Sequence, residues 1–408
     1  MSAGLAMTIS LHCVLMKVLL TDGSGATARQ VANRLFAAGH VVDVLSPDPL
    51  CLSRFTRHVR RVLPVPKFGL APLQWLYAAL EHYRVGGYDV LFPTQEQVAV
   101  LAAAPDRLRS AGVVTAVPSF PALTAVQDKL SAFATLTRLG IPQPPTAVGI
   151  DGWTDFPAYV KVPIGTASGG VWRVESLDEI NRLALDGTVL IQAATEGPLV
   201  MCSSVFDRGT LVAFHSCERM GEGARGGASH KRSLNLPELR TMFETIGCDL
   251  GWNGALSADV ILGETGPVFI DVNPRLVEPE NAWRSGVDLV TAMLDVALHN
   301  ATPPQASGLN GVRTHQLLLA ILGTAQHGRG RRGVAREILA AIRNSGFYEK
   351  SAEELTPANH DLRALVPLIA AAVATLVIPT SWSWFASGSV DNYALSPNGW
   401  KQILASTP

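Results

Sequence analysis

One apolar stretch in the second half of the chain constrains the fold more than any other. Residues 268–276 have the sequence Val-Phe-Ile-Asp-Val-Asn-Pro-Arg-Leu. Because successive side chains of a strand point to opposite faces, this pattern predicts that Asp271, Asn273 and Arg275 share one face. The valine and isoleucine residues at positions 268, 270 and 272 are predicted to enter a core. An acid, an amide and a guanidinium on one face of an apolar strand indicate that a polar cleft lies beside it.

A second strand with its own acid lies just upstream. Residues 255–262 form an apolar run that contains Asp259, and Gly-Glu-Thr-Gly at 263–266 predicts a hairpin turn. This turn places Asp259 opposite Asp271 with Cβ atoms about 5 Å apart, where like charges destabilise the pair. A divalent cation reverses that penalty, and two carboxylates with the Asn273 amide oxygen favour Mg²⁺, with Mn²⁺ as a second candidate. The alternative is a solvated strand face, which the apolar flanks argue against.

A glycine-rich loop between two short strands provides a second motif. Residues 158–174 predict a strand, a loop and a second strand, and no helix follows the loop. This order excludes a P-loop and a dinucleotide fingerprint, whose glycines open onto a helix. Gly165, Gly169 and Gly170 instead predict a flap whose backbone N–H groups close over phosphate oxygens. Lys161 projects from the preceding strand and suits a phosphate contact, although an ordinary surface lysine is the alternative. Together the flap and the acidic hairpin predict binding of a nucleoside triphosphate.

The order of these motifs resembles that of the ATP-grasp superfamily over about residues 16–305. A helix start at Asp128-Lys129 and the run Leu-Gly-Ile-Pro-Gln-Pro-Pro-Thr at 139–146 precede the flap. The acidic hairpin follows, and Ser-Gly-Val-Asp-Leu at 285–289 matches the helix that commonly comes next. The resemblance implies an α/β protein with the ATP-grasp fold: an N-terminal parallel-sheet domain, a small lid subdomain and a catalytic subdomain. A mostly helical C-terminal extension lies outside it.

The resemblance also implies which residues contact ATP. Lys129 corresponds to a lysine that contacts the nucleotide. Beside the adenine the sequence departs from the family, because position 193 is alanine where glutamate is frequent. Glu196 is therefore predicted to substitute there, and a plain turn acid is the alternative. The full set predicted to bind ATP is Lys129, Lys161, Gly165, Ser168, Gly169, Gly170, Gln192 and Glu196.

Length and composition agree with an enzyme of several domains. A chain of 408 residues implies about three domains. The predicted boundaries are 16–115 for the N-terminal α/β domain, 116–195 for the linker helix and lid, 196–305 for the catalytic subdomain, and 306–408 for the C-terminal extension. A formal net charge of −1 excludes broad electrostatic attraction to nucleic acid. Five cysteines without Cys-x-x-Cys spacing fit a reducing compartment, so a cytoplasmic location is predicted.

Two further segments are predicted to face the substrate. The β-loop-α-β pattern from Lys17 predicts a parallel sheet, and Glu96 follows a later strand of it, at the carboxyl edge where ligands collect. A helix-capping role is the alternative for that region. Residues 217–233 are polar and rich in glycine, which predicts an active-site loop. Arg225, His230 and Arg232, with the neighbouring lysine, would meet a carboxylate or the transferring phosphoryl group there; a basic loop without a role is the alternative.

The C-terminal extension contains a long uncharged run. Residues 364–378 carry no charge, and the run continues through Trp382, Trp384 and Phe385. This composition predicts a buried helix at a domain or homo-oligomer interface. A membrane element over 364–386 is the alternative, since about twenty apolar residues with aromatic flanks suffice to span a bilayer.

The parts together predict an ATP-dependent ligase that joins a carboxylate to an amine through an acyl phosphate and releases ADP and phosphate. Both substrates would be small molecules. Lys161 would hold a phosphate, and Arg275 would stabilise the acyl phosphate and its tetrahedral successor. Carboxylation or formation of a carbamoyl or purine-precursor bond uses the same parts and is one alternative. A nucleotide-binding regulatory or membrane-associated protein is the other.

Overall fold

The computed structural model describes residues 15–185, 187–357 and 361–407. Its N-terminal domain is built around a parallel sheet of four strands in the order β3-β2-β1-β4, as the β-loop-α-β pattern predicts. The elements of this domain are β1 (Lys17–Leu20), α1 (Ala26–Ala37), β2 (Val41–Ser46), β3 (Arg61–Pro64), α2 (Pro72–Gly86), β4 (Val90–Phe92), α3 (Val98–Ala102) and α4 (Pro105–Ser110).

Both faces of this sheet are covered, which explains why its inner strands β1 and β2 are mostly apolar. Val18 and Leu20 enter one core together with residues of α1. Leu19, between them in sequence, enters a second core together with residues of α2 and α3. The sheet thereby holds the N-terminus of α1 and the segment after β4 at its carboxyl edge.

The linker and lid follow. Two helices lead into a lid sheet of four strands in the order β5-β8-β6-β7, with mostly antiparallel pairing. Asp128 caps the second helix by accepting hydrogen bonds from the backbone N–H groups of Leu130 and Ser131, which places Lys129 in the first turn. The elements are α5 (Phe120–Gln127), α6 (Lys129–Arg138), β5 (Thr146–Val148), β6 (Ala158–Lys161), β7 (Val171–Val174), α7 (Leu177–Arg182) and β8 (Leu190–Ala193).

The central subdomain is a sheet of seven strands in the order β13-β12-β9-β10-β11-β14-β15. Helix α8 packs on one face through Leu239, Phe243 and Ile246. The elements up to this sheet's sixth strand are β9 (Leu199–Asp207), β10 (Thr210–Glu222), β11 (Ala228–Leu234), α8 (Pro237–Leu250), β12 (Gly254–Gly263), β13 (Gly266–Asn273), α9 (Glu280–Ser285), α10 (Leu289–Ala297) and β14 (Arg313–His315).

The C-terminal extension is mostly helical but is also part of the central sheet. Its elements are α11 (Leu317–Gln326), α12 (Gly330–Ile342), β15 (Ser351–Glu353), α13 (Leu365–Val377), α14 (Trp382–Val390) and α15 (Pro397–Ala405). Strands β14 and β15 continue the sheet beyond the predicted boundary at residue 305. Helix α15 returns to the N-terminal domain, where Trp400 and Ile403 join the same core as Trp75 of α2.

The uncharged run 364–386 is divided between two helices. Helix α13 ends two residues before Pro379, and α14 begins at Trp382. Leu368, Ala371 and Ala372 of α13 pack against α11 and α12. None of the helices in the described part of the chain is both long and apolar enough to cross a membrane. The predicted interface role of this run stays a prediction.

The acidic hairpin has the predicted pairing and one deviation. Asp259 lies opposite Asp271, but the next pair is Val260 with Phe269, so Ile270 is bulged out of the ladder. The extra residue resets the alternation of faces. Phe269 and the following Val272 therefore enter the core. The prediction that positions 268 and 270 face the core is wrong, because Val268 is only half-buried and Ile270 lines a cavity.

The predicted active-site loop at 217–233 is also wrong, because most of it is β-sheet. Strands β10 and β11 pair through Cys217 to Ser233, and only a short turn around Arg225 separates them. The polar residues here alternate between the two faces of the sheet, so they do not form one loop. Some of these polar side chains therefore face the cavity and others do not.

Candidate active site

A large cavity lies between the N-terminal domain, the lid, the central sheet and the C-terminal helices. Its volume is about 1080 Å³. Pockets of this size accommodate a nucleotide together with a small substrate. Most of the residues predicted from the two motifs lie in its wall: Lys129, Lys161, Gly165, Ser168, Gly169, Gln192, Arg225, Asp259, Asp271, Asn273 and Arg275.

The facing carboxylates of Asp259 and Asp271 form the acidic part of the cavity. Burial, and then the neighbouring Asp271 carboxylate, raise the pKa of Asp259 to about 6. The ammonium of Lys129 lies 3.9 Å from Asp271 Oδ1 and so partly offsets the negative charge. Asn273 lies two residues further along the cavity wall. The site therefore concentrates negative charge that a bound cation would stabilise.

The donor set fits Mg²⁺. Asp259, Asp271 and Asn273 supply carboxylate and amide oxygens, the hard ligands that Mg²⁺ takes while it keeps positions for water or phosphate oxygens. Burial is the larger cause of the raised pKa of Asp259 and the facing Asp271 carboxylate is the second, so a cation at this pair would offset both. Phosphate oxygens of a nucleotide would supply further ligands to a cation held there.

Lys161 links the lid to the acidic hairpin. Its ammonium donates hydrogen bonds to Gln192 Oε1 and to the carbonyl oxygen of Ile270, each at 2.7 Å. The side chain is buried, and this burial lowers the pKa of Lys161 to about 8. The bulge that exposes the Ile270 carbonyl to Lys161 thus connects the two predicted motifs directly. Gln192 in turn donates to Thr146 Oγ1 at 3.1 Å, which fixes its amide.

The glycines of the flap are required for different reasons. Gly170 has φ +75°, and a Cβ atom there would come within 2.2 Å of the Val162 side chain. A Cβ at Gly165 would come within 2.0 Å of the Gly169 carbonyl oxygen. At the tip, Ser168 Oγ donates to the carbonyl oxygen of Arg225 at 3.2 Å. The flap therefore reaches across the cavity to the turn between β10 and β11.

Arg275 and Glu96 form a buried pair on the N-terminal-domain side of the site. Arg275 Nε donates to Glu96 Oε1 at 3.0 Å, and both side chains are buried. Burial alone would lower the pKa of Arg275, but Glu96, together with Tyr393 and Asp271, outweighs that effect and the pKa is raised. Glu96 thus contacts a residue of the cavity wall and lines a small adjoining pocket of about 20 Å³ with Lys129 and Asn273.

The structure separates the other residues predicted to bind substrate or nucleotide. Arg225 lines the cavity and donates from Nη1 to Ser387 Oγ at 2.9 Å. His230 and Arg232 point away from the cavity: the ring of His230 packs against Tyr348, and Arg232 pairs with Glu218. Alternation along β11 is the reason, because the residue between them, Lys231, takes the opposite face. Glu196 is exposed on the strand connection and is not part of the cavity wall.

Glu278 is a cavity residue that the sequence motifs did not single out. It has φ +38°, an uncommon value for a residue with a side chain. Its carboxylate accepts hydrogen bonds from Lys231 Nζ and Gln316 Nε2. Lys231 also donates to the buried Glu354 at 2.6 Å. Glu278 lies three residues after Arg275, and this closeness to the motif is the one sign in the sequence that it could belong to the site. Because it lies beyond the end of β13, strand alternation does not predict the direction of its side chain.

The sequence matches no family model, and a search among curated proteins finds no match. Solved structures do resemble the fold. A biotin carboxylase from Campylobacter jejuni is 17% identical over 74% of this chain and 75% of its own, with a TM-score of 0.58. An ADP complex of N5-carboxyaminoimidazole ribonucleotide synthetase is 13% identical over 80% and 86%, with a TM-score of 0.59. An L-amino acid ligase from Bacillus licheniformis is 13% identical over 69% and 74%, with a TM-score of 0.53.

These neighbours have the ATP-grasp fold, and so does this protein. The N-terminal parallel sheet, the lid and the central sheet are the three parts that the sequence motifs predicted. At these identities the likeness concerns the fold, and the reaction must be argued from the site.

Proposed function

We propose that the protein is an ATP-dependent ligase that joins a carboxylate to an amine and releases ADP and phosphate. One observation carries the proposal. Lys161 of the lid contacts the strand that carries Asp271, and Asp271 lies opposite Asp259. The flap glycines Gly165 and Gly169 and the side chain of Lys129 line the same cavity. Cationic groups, hard oxygen ligands and a closing loop in one cavity are the requirements for phosphoryl transfer.

Each group has a defined part in this reaction. Lys129 and Lys161 hold phosphate oxygens, and the flap excludes water from the transfer. Mg²⁺ bound by Asp259, Asp271 and Asn273 would supply neutralising charge for the phosphates. A carboxylate oxygen of the substrate attacks the γ-phosphorus and the bond to ADP breaks.

The second step forms the new bond. The amine nitrogen attacks the acyl carbon, phosphate leaves, and the nitrogen gives up a proton. Arg275 is positioned in the cavity wall to stabilise the negative charge that develops on the acyl oxygen. Its pairing with Glu96 keeps the guanidinium oriented before substrate binds.

Carboxylation is the second candidate, since two of the structural neighbours are a biotin carboxylase and a carboxyaminoimidazole ribonucleotide synthetase. Bicarbonate would then take the place of the organic acid. A nucleotide-binding regulatory protein would bind ATP without turnover. We also propose a cytoplasmic location and a homo-oligomeric state. Neither depends on which of these reactions the protein catalyses.

The test is a screen for coupled release of ADP and phosphate. Purified protein with MgATP receives pooled amines and carboxylates, with and without ¹³C-bicarbonate, and products are identified by mass spectrometry. An amide product that requires both substrates and is absent from the Asp271→Asn variant supports the ligase. A ¹³C-labelled product would favour carboxylation, and ATP binding without ADP release in any mixture would contradict both.

A further inference from the structure

The cavity has an apolar part on the side of the C-terminal helices. Six residues, which we call the apolar lobe, define it: Leu50, Leu52, Leu319, Val366, Trp384 and Phe385. They come from the N-terminal domain and from α11, α13 and α14. The C-terminal extension therefore contributes a wall of the cavity.

Three side chains of the apolar lobe leave much of their surface open in the absence of a ligand. Trp384 is 70% exposed, Leu50 68% and Val366 48%. Exposed apolar surface that lines a concavity typically marks a ligand-binding site, since covering it contributes about 25 cal/mol per Å². The apolar lobe is anchored to the core, because its members Leu52 and Phe385 pack against the buried Leu318, Leu322 and Ala371.

The nucleotide has a different apolar surface available. Tyr159, Val171, Leu199 and Ile261 line the cavity on the side of the lid and the edge of the central sheet, beside Gln192 and Lys161. A flat adenine ring fits between two such layers. These four residues come from the lid and from strands β9 and β12, whereas the apolar lobe comes from the N-terminal domain and from α11, α13 and α14. The lobe is thus left for a substrate.

A carboxylate stands at the border of the apolar lobe. Glu278 lines the cavity and is held by Gln316, the residue that immediately precedes α11. Leu319 of the apolar lobe lies three residues later, in the first turn of α11. Lys231 provides the second donor that fixes the Glu278 side chain. A fixed carboxylate next to an apolar surface complements a ligand that has an ammonium group beside a large apolar group.

We propose that the amine substrate carries a bulky aliphatic or aromatic group, as a branched-chain or aromatic amino acid derivative does. The apolar group lies against Trp384, Val366 and Leu50, and Glu278 orients the ammonium, which loses one proton to solvent before the neutral amine attacks the acyl phosphate. The role of this amine as the nucleophile rests on the proposed function. The binding site itself is defined by the residues of the cavity wall.

The experiment compares glycinamide, leucinamide and phenylalaninamide, which differ only in the apolar group. In the coupled ligation assay the wild type is expected to prefer the two larger amines in kcat/KM by about tenfold or more, given the free energy of burying several methylene groups. Trp384→Ala is expected to lower that preference about tenfold, and Val366→Asn serves as an independent second variant. Leu404→Ala, an exposed apolar residue of α15, is the matched control and should keep the wild-type preference.

Binding is measured separately by calorimetric titration of the three amines into protein with MgATP. Tighter binding of leucinamide than glycinamide, lost in Trp384→Ala and weakened for all three amines in Glu278→Gln, supports the inference even if no amide forms. That result would contradict the ligase proposal but support the amine-binding site in the apolar lobe. Turnover or binding that is indifferent to side-chain size and to both lobe variants overturns the inference while the ligase proposal stands.

Discussion

Asp259 lies directly opposite Asp271 in the antiparallel hairpin, and the ladder shifts by one residue immediately beside that pair. The shift turns Ile270 out of the ladder and directs its carbonyl oxygen to the Lys161 ammonium at 2.7 Å. One irregularity therefore both brings the carboxylates together and ties the lid to them. Bulges next to active sites commonly re-aim groups in this way.

The first prediction concerns the acidic pair. Asp271→Asn should preserve the fold and reduce turnover on the order of 100-fold, because it removes a charge that faces Mg²⁺ and the phosphates. Steady-state ADP release over a range of Mg²⁺ concentrations measures the effect. Glu264→Gln, an exposed acid in the turn of the same hairpin, should behave as wild type. Near-normal magnesium-dependent ADP formation by Asp271→Asn would remove the metal assignment.

The second prediction concerns the flap. Gly169→Val with Gly170→Val should raise KM for ATP about tenfold and leave residues 164–171 open to protease even with nucleotide, since Gly170 has φ +75° and a side chain there meets Val162. Limited proteolysis with mass mapping measures the protection. Gly112→Val carries the same positive-φ strain at a position with open space around it, so it controls for strain alone. Full protection of the loop by nucleotide in the double variant would show that the flap is misplaced.

The third prediction separates stability from catalysis at the Arg275–Glu96 pair. Arg275→Met should lower the free energy of unfolding by about 3 kcal/mol, because it leaves the buried Glu96 carboxylate without its partner. Adding Glu96→Gln should restore much of that stability and none of the turnover. Urea unfolding and ADP release measure the two effects. Recovery of turnover in the double variant would assign Arg275 a structural role only.

The fourth prediction is a pH dependence of stability. Burial lowers the pKa of His215 to about 4, and the ring is hydrogen-bonded to Asn281 and Ser285. In the unfolded chain the pKa is about 6.5, so the unfolded state binds the proton first on acidification. Below pH 6.5 this histidine should therefore cost up to about 1.4 kcal/mol of stability per pH unit, and above pH 6.5 it should contribute no slope.

Urea unfolding of wild type and His215→Gln between pH 7 and pH 5 tests this expectation. The difference in the free energy of unfolding should shift in favour of the variant by about 2 kcal/mol over that range. His299→Asn, at an exposed histidine with positive φ, is the matched control. A difference for His215→Gln that stays constant over this range would mean that folding does not lower the pKa of His215.

Local patterns were sufficient to predict the hairpin, the flap and the N-terminal parallel unit. Each depends on neighbours in sequence: the turn at 263–266 joins the two strands of the hairpin, and glycines set the loop after Lys161. Local patterns were not sufficient for 217–233. Polar and glycine-rich composition indicated a loop there, but pairing of β11 with both β10 and β14 made it a strand and divided its charged residues between two faces.

The sequence by itself determined that a tight turn brings the strands of Asp259 and Asp271 together and that Asn273 shares the Asp271 face, whereas the bulge at Ile270 set the exact pairing of the two carboxylates. Those relationships span few residues, so they follow from the geometry of one hairpin. Tertiary structure alone decided that the partner of Arg275 is Glu96, that Glu278 meets Lys231 and Gln316, and that the C-terminal helices line the cavity. These contacts join residues far apart in sequence and depend on how separate layers pack, which no local periodicity encodes.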